Sequence, residues 1–168
     1  MIENLFYGGE IPVSRNQKKD NGSYYWVTTR LIRESGPWYV TGYIKSPDDV
    51  YKMVQDYLDL ENCDKEHFIV IYLNRKGSVT AANVVSIGGL YSSIVHPREV
   101  FKPAILTSSS SMILVHNHPS GDPTPSHEDI ELTRRLIDAG DILGIKVLDH
   151  IIIGTNGKNV SLKAQGNM

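Results

Sequence analysis

Apolar positions along this chain recur in two rhythms, one helical and one strand-like. Val50, Met53, Val54, Tyr57 and Leu58 repeat at helical spacing behind Ser46-Pro-Asp-Asp. A serine N-cap, a proline in the first turn and early acids open helices, so a helix is predicted over residues 47–60. The unbroken run from Phe68 to Leu73 has strand length, and His67–Leu73 reads as a buried strand. Asn74-Arg-Lys-Gly is then a turn and Val79–Ile87 a partner strand, broken by Gly88-Gly89. His96-Pro-Arg-Glu-Val-Phe starts a second helix, predicted to run to about Leu106. Met112–His116 is an apolar strand, and Ser126 opens a third helix predicted to end near Gly140. Ile145–Leu148 and Ile151–Ile153 read as strand, Thr155-Asn-Gly-Lys as a hairpin turn and Val160–Leu162 as the last strand.

Residues 1–23 are polar around Arg15–Ser23 and are expected to be weakly structured. Tyr24–Ile32 and Trp38–Ile44, joined by Glu34-Ser-Gly-Pro, carry a hairpin pattern. The expected division is a strand-rich extension over residues 1–45, its start flexible, and a domain over residues 46–168. Helices and strands alternate without a strict βαβ rhythm. The predicted class is α/β in the wider α+β sense, a mixed sheet flanked by helices.

Composition narrows the function classes. The 168 residues carry 17 basic and 19 acidic side chains, a net charge of −2, so there is no electrostatic footprint for nucleic acid, and none is expected as a partner. One cysteine, Cys63, excludes an internal disulfide, a multi-cysteine zinc site and the Pro-Cys-x-x-Cys signature of zinc deaminases. No run approaches the ~18 apolar residues of a membrane span, and Met1–Tyr7 has no signal-peptide character. A cytoplasmic location without membrane contact is expected, and an oligomer is compatible with the sequence. Histidine is unevenly placed: four of six (His116, His118, His127, His150) fall in the last third.

The segment His116-Asn-His-Pro-Ser-Gly-Asp-Pro-Thr-Pro-Ser-His-Glu-Asp129 concentrates the chemistry. Alternate residues share one face of a strand, so His116 and His118 point the same way, roughly 7 Å apart along the backbone. Ser126-His-Glu-Asp has the form of a capping box at the start of the third helix. If the proline-stiffened loop folds back, Asp129 completes a His, His, Asp set. Three protein ligands with an open fourth position are the pattern of a catalytic zinc site. The plainer readings are a surface histidine pair and an ordinary helix cap. His127 is expected on the surface, His96 at a helix start, His67 in an exposed strand position and His150 as a hydrogen-bonded core histidine or a support for a ligand.

His-x-His, seven residues, then Ser-x-x-Asp resembles the JAMM motif of JAB/MPN metalloproteases. His-Asn-His-Pro-Ser-Gly-Asp with Pro-Ser-x-x-Asp, Val95-His-Pro-Arg-Glu-Val-Phe, Glu66-His-Phe and Asp149-His150-Ile-Ile-Ile-Gly154 resemble the RadC-like branch over residues 46–164. Longer proteins of that branch carry a helix-hairpin-helix DNA-binding region ahead of the domain. Residues 1–45 show no such pattern, so a short form without it is expected.

The resemblance implies a JAB/MPN-like fold, a cytidine-deaminase-like three-layer arrangement with a mixed β-sheet between helices. It implies zinc (Zn2+) held by His116, His118 and Asp129, with Ser126 stabilising an oxyanion and an upstream glutamate as general acid/base. Glu66, at the head of the first domain strand, matches that glutamate, with Glu99 as the fallback; Asp122 matches no ligand position. The implied function is a zinc-dependent metallopeptidase or isopeptidase acting on a peptide or isopeptide substrate. The alternative is a noncatalytic metal-binding or DNA-repair-associated interaction module that keeps the fold. A His-Asn-His nuclease is disfavoured, because its three residues are spread over a longer segment and the charge is near neutral.

Overall fold

The computed structural model describes residues 43–88 and 95–168. The expected flexible start, and the Tyr24–Ile44 strand pair up to its last two residues, lie outside the described residues. Helix α1 (Pro47–Leu58) begins as its sequence predicts. The Ser46 hydroxyl accepts from the Asp49 N–H, and the Asp49 carboxylate accepts from the Ser46 N–H, a reciprocal cap. It ends two residues before the expected Leu60, because Asp59 turns left-handed (φ 46°) and returns its N–H to the Gln55 carbonyl. A short 3-10 turn, Leu60–Asn62, follows.

The remaining elements are β1 (His67–Leu73), β2 (Val79–Ile87), α2 (Pro97–Leu106), β3 (Ser111–Asn117), α3 (His127–Leu143), β4 (Lys146–Ile153) and β5 (Asn159–Ser161). The strands form one mixed sheet in the order β2-β1-β3-β4-β5. β1 runs antiparallel to both β2 and β3, β3 and β4 are parallel through the α3 crossover, and β5 returns antiparallel. The two central strands are almost wholly buried, as their continuous apolar runs require.

Strand alternation sorts the core into two layers. Phe68, Val70, Tyr72, Met112 and Leu114 meet Val100, Phe101 and Ala104 of α2 and Leu132 and Leu136 of α3. On the other face Ile69, Ile71, Leu73, Ile113 and Val115 meet Val50 and Val54 of α1. The sheet thus lies between α1 and the α2–α3 pair, the three-layer arrangement expected.

Two boundaries differ from expectation for physical reasons. α3 runs through Gly140 to Leu143 and closes at left-handed Gly144 (φ 70°). Gly140 is a close-packing position: a Cβ there would sit 2.5 Å from the Ile145 carbonyl oxygen. β4 is continuous across Asp149-His150, where sequence predicts two pieces, because both polar side chains are satisfied in the interior. Asp149 accepts from the Ser161 hydroxyl and from the backbone of His150 and Lys163. His150 reaches two side chains described below.

Candidate metal centre

The site lies at the end of β3 on the face covered by α3. β3 pairs with β1 so that Phe68 stands opposite His116, and their rings stack with centroids 6.3 Å apart. Phe68 also meets the His150 ring edge-on at 5.6 Å. Beyond Asn117 the strand stops at His118-Pro119, and the His118 N–H is held by the Ile153 carbonyl, 2.9 Å. The chain turns at Gly121, whose φ of 83° suits glycine. It then enters α3 through a capping box in which Ser126 accepts from the Asp129 N–H, 3.1 Å.

These elements bring His116, His118 and Asp129 together. One ligand atom from each lies within 4.8 Å of the others, and among the described residues they form the group suited to hold a metal ion. His116 Nε2 is 3.0 Å from His118 Nε2 and 3.3 Å from Asp129 Oδ1, and His118 Nε2 is 3.5 Å from Asp129 Oδ2. His116 and Asp129 are buried and His118 half-buried, so the group is closed on the core side and reachable from the loop side.

The donor set fits a cation. His118 Nδ1 stands 2.7 Å from the Asp122 backbone carbonyl. A carbonyl only accepts, so Nδ1 carries the proton and the neutral ring turns its Nε2 lone pair inward. Asp129 is held ionised: burial pushes its carboxyl up, but the hydrogen bonds that the His116 and His118 rings donate to it when protonated, together with the Ser126 hydroxyl, outweigh burial and hold it far below the carboxylate range. Its hydrogen bond raises His118 above the ordinary histidine value, against partial burial, with the Asp122 carbonyl and the charges of Asp129 and Glu66 adding to the effect. The same negative field also favours a metal cation there. Burial, reinforced by adjacent His116, holds His150 well below the usual histidine range.

The other candidates separate clearly. Glu66 is half-buried just ahead of β1, and its carbonyl accepts from Gly88, 2.8 Å. It stands two residues before Phe68, the partner of His116, and its charge is felt at His118. Glu99 lies exposed on α2, where Lys102 at 2.7 Å and Arg98 at 3.4 Å hold its carboxyl down, outside the group. The Asp122 carboxylate caps its own turn at Thr124, and only its carbonyl serves the site. The Ser126 hydroxyl donates to Asp129 Oδ2, 2.6 Å, so it orients the carboxylate. His127 is exposed beside Glu131, 3.3 Å away. His96 begins α2 without capping it. His67 is half-buried, its Nδ1 bonded to the Lys65 carbonyl.

Two participants lack a sequence signal of their own. Asn117 lies between the two histidines and faces away from them, toward β1. Thr133 lies four residues after Asp129, on the same helical face; that spacing is the one clue available.

The geometry is that of a candidate metal site: a His-x-His pair at a strand end, met by an aspartate from the first turn of the following helix. The comparisons agree with it. The sequence profile of the RadC-like JAB domain matches residues 44–167, and the chain belongs to that family. It is 61% identical over 125 residues to a UPF0758 protein of Syntrophomonas wolfei, covering 73% of this chain and 53% of that protein. A UPF0758 protein of Desulforamulus reducens is 61% identical over 123 residues, with the same coverage of each chain. One of Methanosarcina mazei is 55% identical over 123 residues, covering 73% of this chain and 52% of that protein. The chain thus spans about half the length of the curated relatives it matches. Among the described residues no helix is long and apolar enough to cross a membrane.

Proposed function

We propose that the domain is a zinc-dependent hydrolase of amide bonds, acting on a peptide or isopeptide in the cytoplasm. His116, His118 and Asp129 would hold the ion, Glu66 would carry the proton and Ser126 would assist at the oxyanion. The observation that carries this reading is the convergence of two imidazoles and an ionised carboxylate, with Glu66 near enough for its charge to act on His118. Two nitrogens and one oxygen, with no thiolate, are a donor set zinc accepts, and three protein ligands leave a position open. A zinc ion there would supply Lewis acidity toward a carbonyl and lower the pKa of water toward neutrality.

The chain's own groups supply the rest. Glu66 is close enough for its charge to reach His118, and its carboxylate would accept a proton from water and return it to the leaving amine. The Ser126 hydroxyl, which donates to Asp129 in this structure, would exchange that acceptor for the substrate oxygen as negative charge develops on it. Phe68 and the buried end of β3 keep the base of the site dry, which strengthens each of these interactions.

Metal analysis and peptide or isopeptide cleavage by purified protein test the reading. Wild type is expected to hold one zinc per chain and His118→Ala none. Glu66→Gln should retain zinc and lose hydrolysis. A zinc-free wild type sinks the metal assignment. Zinc without cleavage across broad peptide and isopeptide libraries favours a binding module.

A further inference from the structure

We infer that Thr133 and His150 are positioning residues for the metal site. Together they fix which nitrogen of His116 faces the ion and tie that ring to the backbone of Asp129. The inference rests on the metal reading above and extends it to two residues outside the ligand set.

The observation is a chain of three short contacts through the interior. The Thr133 hydroxyl lies 2.6 Å from the Asp129 carbonyl and 2.6 Å from His150 Nδ1. His150 Nε2 lies 2.8 Å from His116 Nδ1. Thr133, His150 and His116 are each 0% exposed, so water cannot substitute for any of these partners.

Counting protons gives the chain a direction. The Asp129 carbonyl can only accept, so the single hydroxyl proton of Thr133 is donated to it. Thr133 can then only accept from His150, which places a proton on His150 Nδ1. Neutral His150 has one N–H, so its Nε2 accepts, and the proton in the next contact belongs to His116 Nδ1. Neutral His116 therefore carries its lone pair on Nε2, the atom 3.3 Å from Asp129 Oδ1 and 3.0 Å from His118 Nε2. A backbone carbonyl on α3 thus dictates the tautomer of a ligand on β3, through a histidine on β4. Two ligands from different elements are held as one unit.

Removing the hydroxyl removes the direction. In Thr133→Val, His150 Nδ1–H loses its acceptor, and the opposite tautomer becomes competitive. That tautomer donates from Nε2, takes the His116 Nδ1 lone pair and forces the His116 proton onto Nε2, where the ion would bind. Partners of metal-bound histidines typically matter 10–100-fold in affinity.

The test measures zinc affinity by competition with a chromophoric chelator, together with the ring ¹⁵N shifts of His116 in metal-free protein. Wild type, Thr133→Val, Thr133→Ser and the surface control His127→Ala are compared, with urea unfolding of each. The expected result is a roughly 10–100-fold weaker zinc affinity in Thr133→Val, near wild-type affinity in Thr133→Ser and no change in His127→Ala. His116 should be protonated at Nδ1 in wild type and Thr133→Ser, and at both nitrogens in a mixture in Thr133→Val. Wild-type affinity in a folded Thr133→Val, or Thr133→Ser as weak as Thr133→Val, overturns the inference. A wild type that binds no zinc sinks the metal reading instead, and the ring shifts still decide the tautomer. If Thr133→Val does not fold, His116 protonated at Nε2 in wild type or Thr133→Ser is the overturning result.

Discussion

The side chain of Asn117 accepts a hydrogen bond from the backbone N–H of His67, 2.8 Å, across the end of the β1–β3 ladder. Its amide donates to the Lys65 carbonyl, 3.0 Å. The residue between those two backbone groups is Glu66. A side chain 1% exposed, set between the two histidines in sequence, therefore clamps the peptide on both sides of the acid/base candidate.

Asn117→Ala leaves the His67 N–H and the Lys65 carbonyl without this partner. The half-buried His67 N–H loses its partner at a cost of about 1 kcal/mol, while the Lys65 carbonyl keeps the His67 ring Nδ1. We expect the urea midpoint to fall accordingly, with zinc affinity changed little because Asn117 faces away from the ligands. Hydrolysis should fall further than stability does, because Glu66 loses its fixed backbone. Asn117→Asp keeps the acceptor for His67 but sets a carboxylate oxygen against the Lys65 carbonyl, and should be worse than its size suggests.

Metal removal gives a second prediction. A ligand that binds only the folded chain stabilises it by about 2.7 kcal/mol at a hundred times its dissociation constant. In a chain of this size that amounts to roughly 5–10 °C in Tm. Chelator should lower the wild-type Tm by that order, and added zinc should restore it. In His118→Ala neither treatment should move Tm. A wild-type Tm indifferent to both rules out a site of useful affinity.

The pH dependence follows from His118. Its hydrogen bond with Asp129 raises its pKa above the histidine value of 6.5, so protons compete for the ring at a higher pH than for a free histidine. Asp129 is held far below that range and takes up no proton there. Zinc affinity should be level above the raised value and weaken by about tenfold per pH unit below it, as one proton is displaced per metal bound. Chelator competition between about pH 8 and about pH 5.5 measures the slope; a flat profile contradicts the assignment of His118 as a ligand.

The candidate group is legible in the sequence because it combines local signals: a two-residue alternation at a strand end and a capping serine three residues before an aspartate. The expected capping box is present at Ser126–Asp129, and the same device recurs at Ser46–Asp49. What local pattern could not reveal depends on pairing. Asp149-His150 looks like a break in a strand until Ser161 and Thr133 are seen to satisfy it. Gly140 looks like a helix terminus until Ile145 is seen against it. Asn117 acquires its role only from the register that sets Phe68 opposite His116.

The loop that carries Asp122 gives the last prediction. Gly154, at the end of β4, lies so close beneath it that a Cβ would overlap the Gly121 carbonyl oxygen and sit 2.7 Å from Pro123 Cδ. From the other side, the Thr155 N–H donates to that same Gly121 carbonyl, 3.1 Å. The Asp122 carbonyl that fixes the tautomer of His118 lies between Gly121 and Pro123, the two residues that Gly154 supports. In Gly154→Ala backbone and proline ring must give way, since neither is the free end of a flexible side chain. The loop is then displaced, and with it the acceptor for His118 Nδ1–H. The core beneath is untouched, so we expect a modest change in the urea midpoint and a loss of roughly tenfold or more in zinc affinity. Gly144→Ala, where a Cβ meets nothing within 4 Å, is the comparison: it strains a left-handed cap (φ 70°), lowering stability by about 1 kcal/mol while leaving zinc affinity alone. Equal zinc affinity in the two variants would mean that the Asp122 carbonyl does not govern the site.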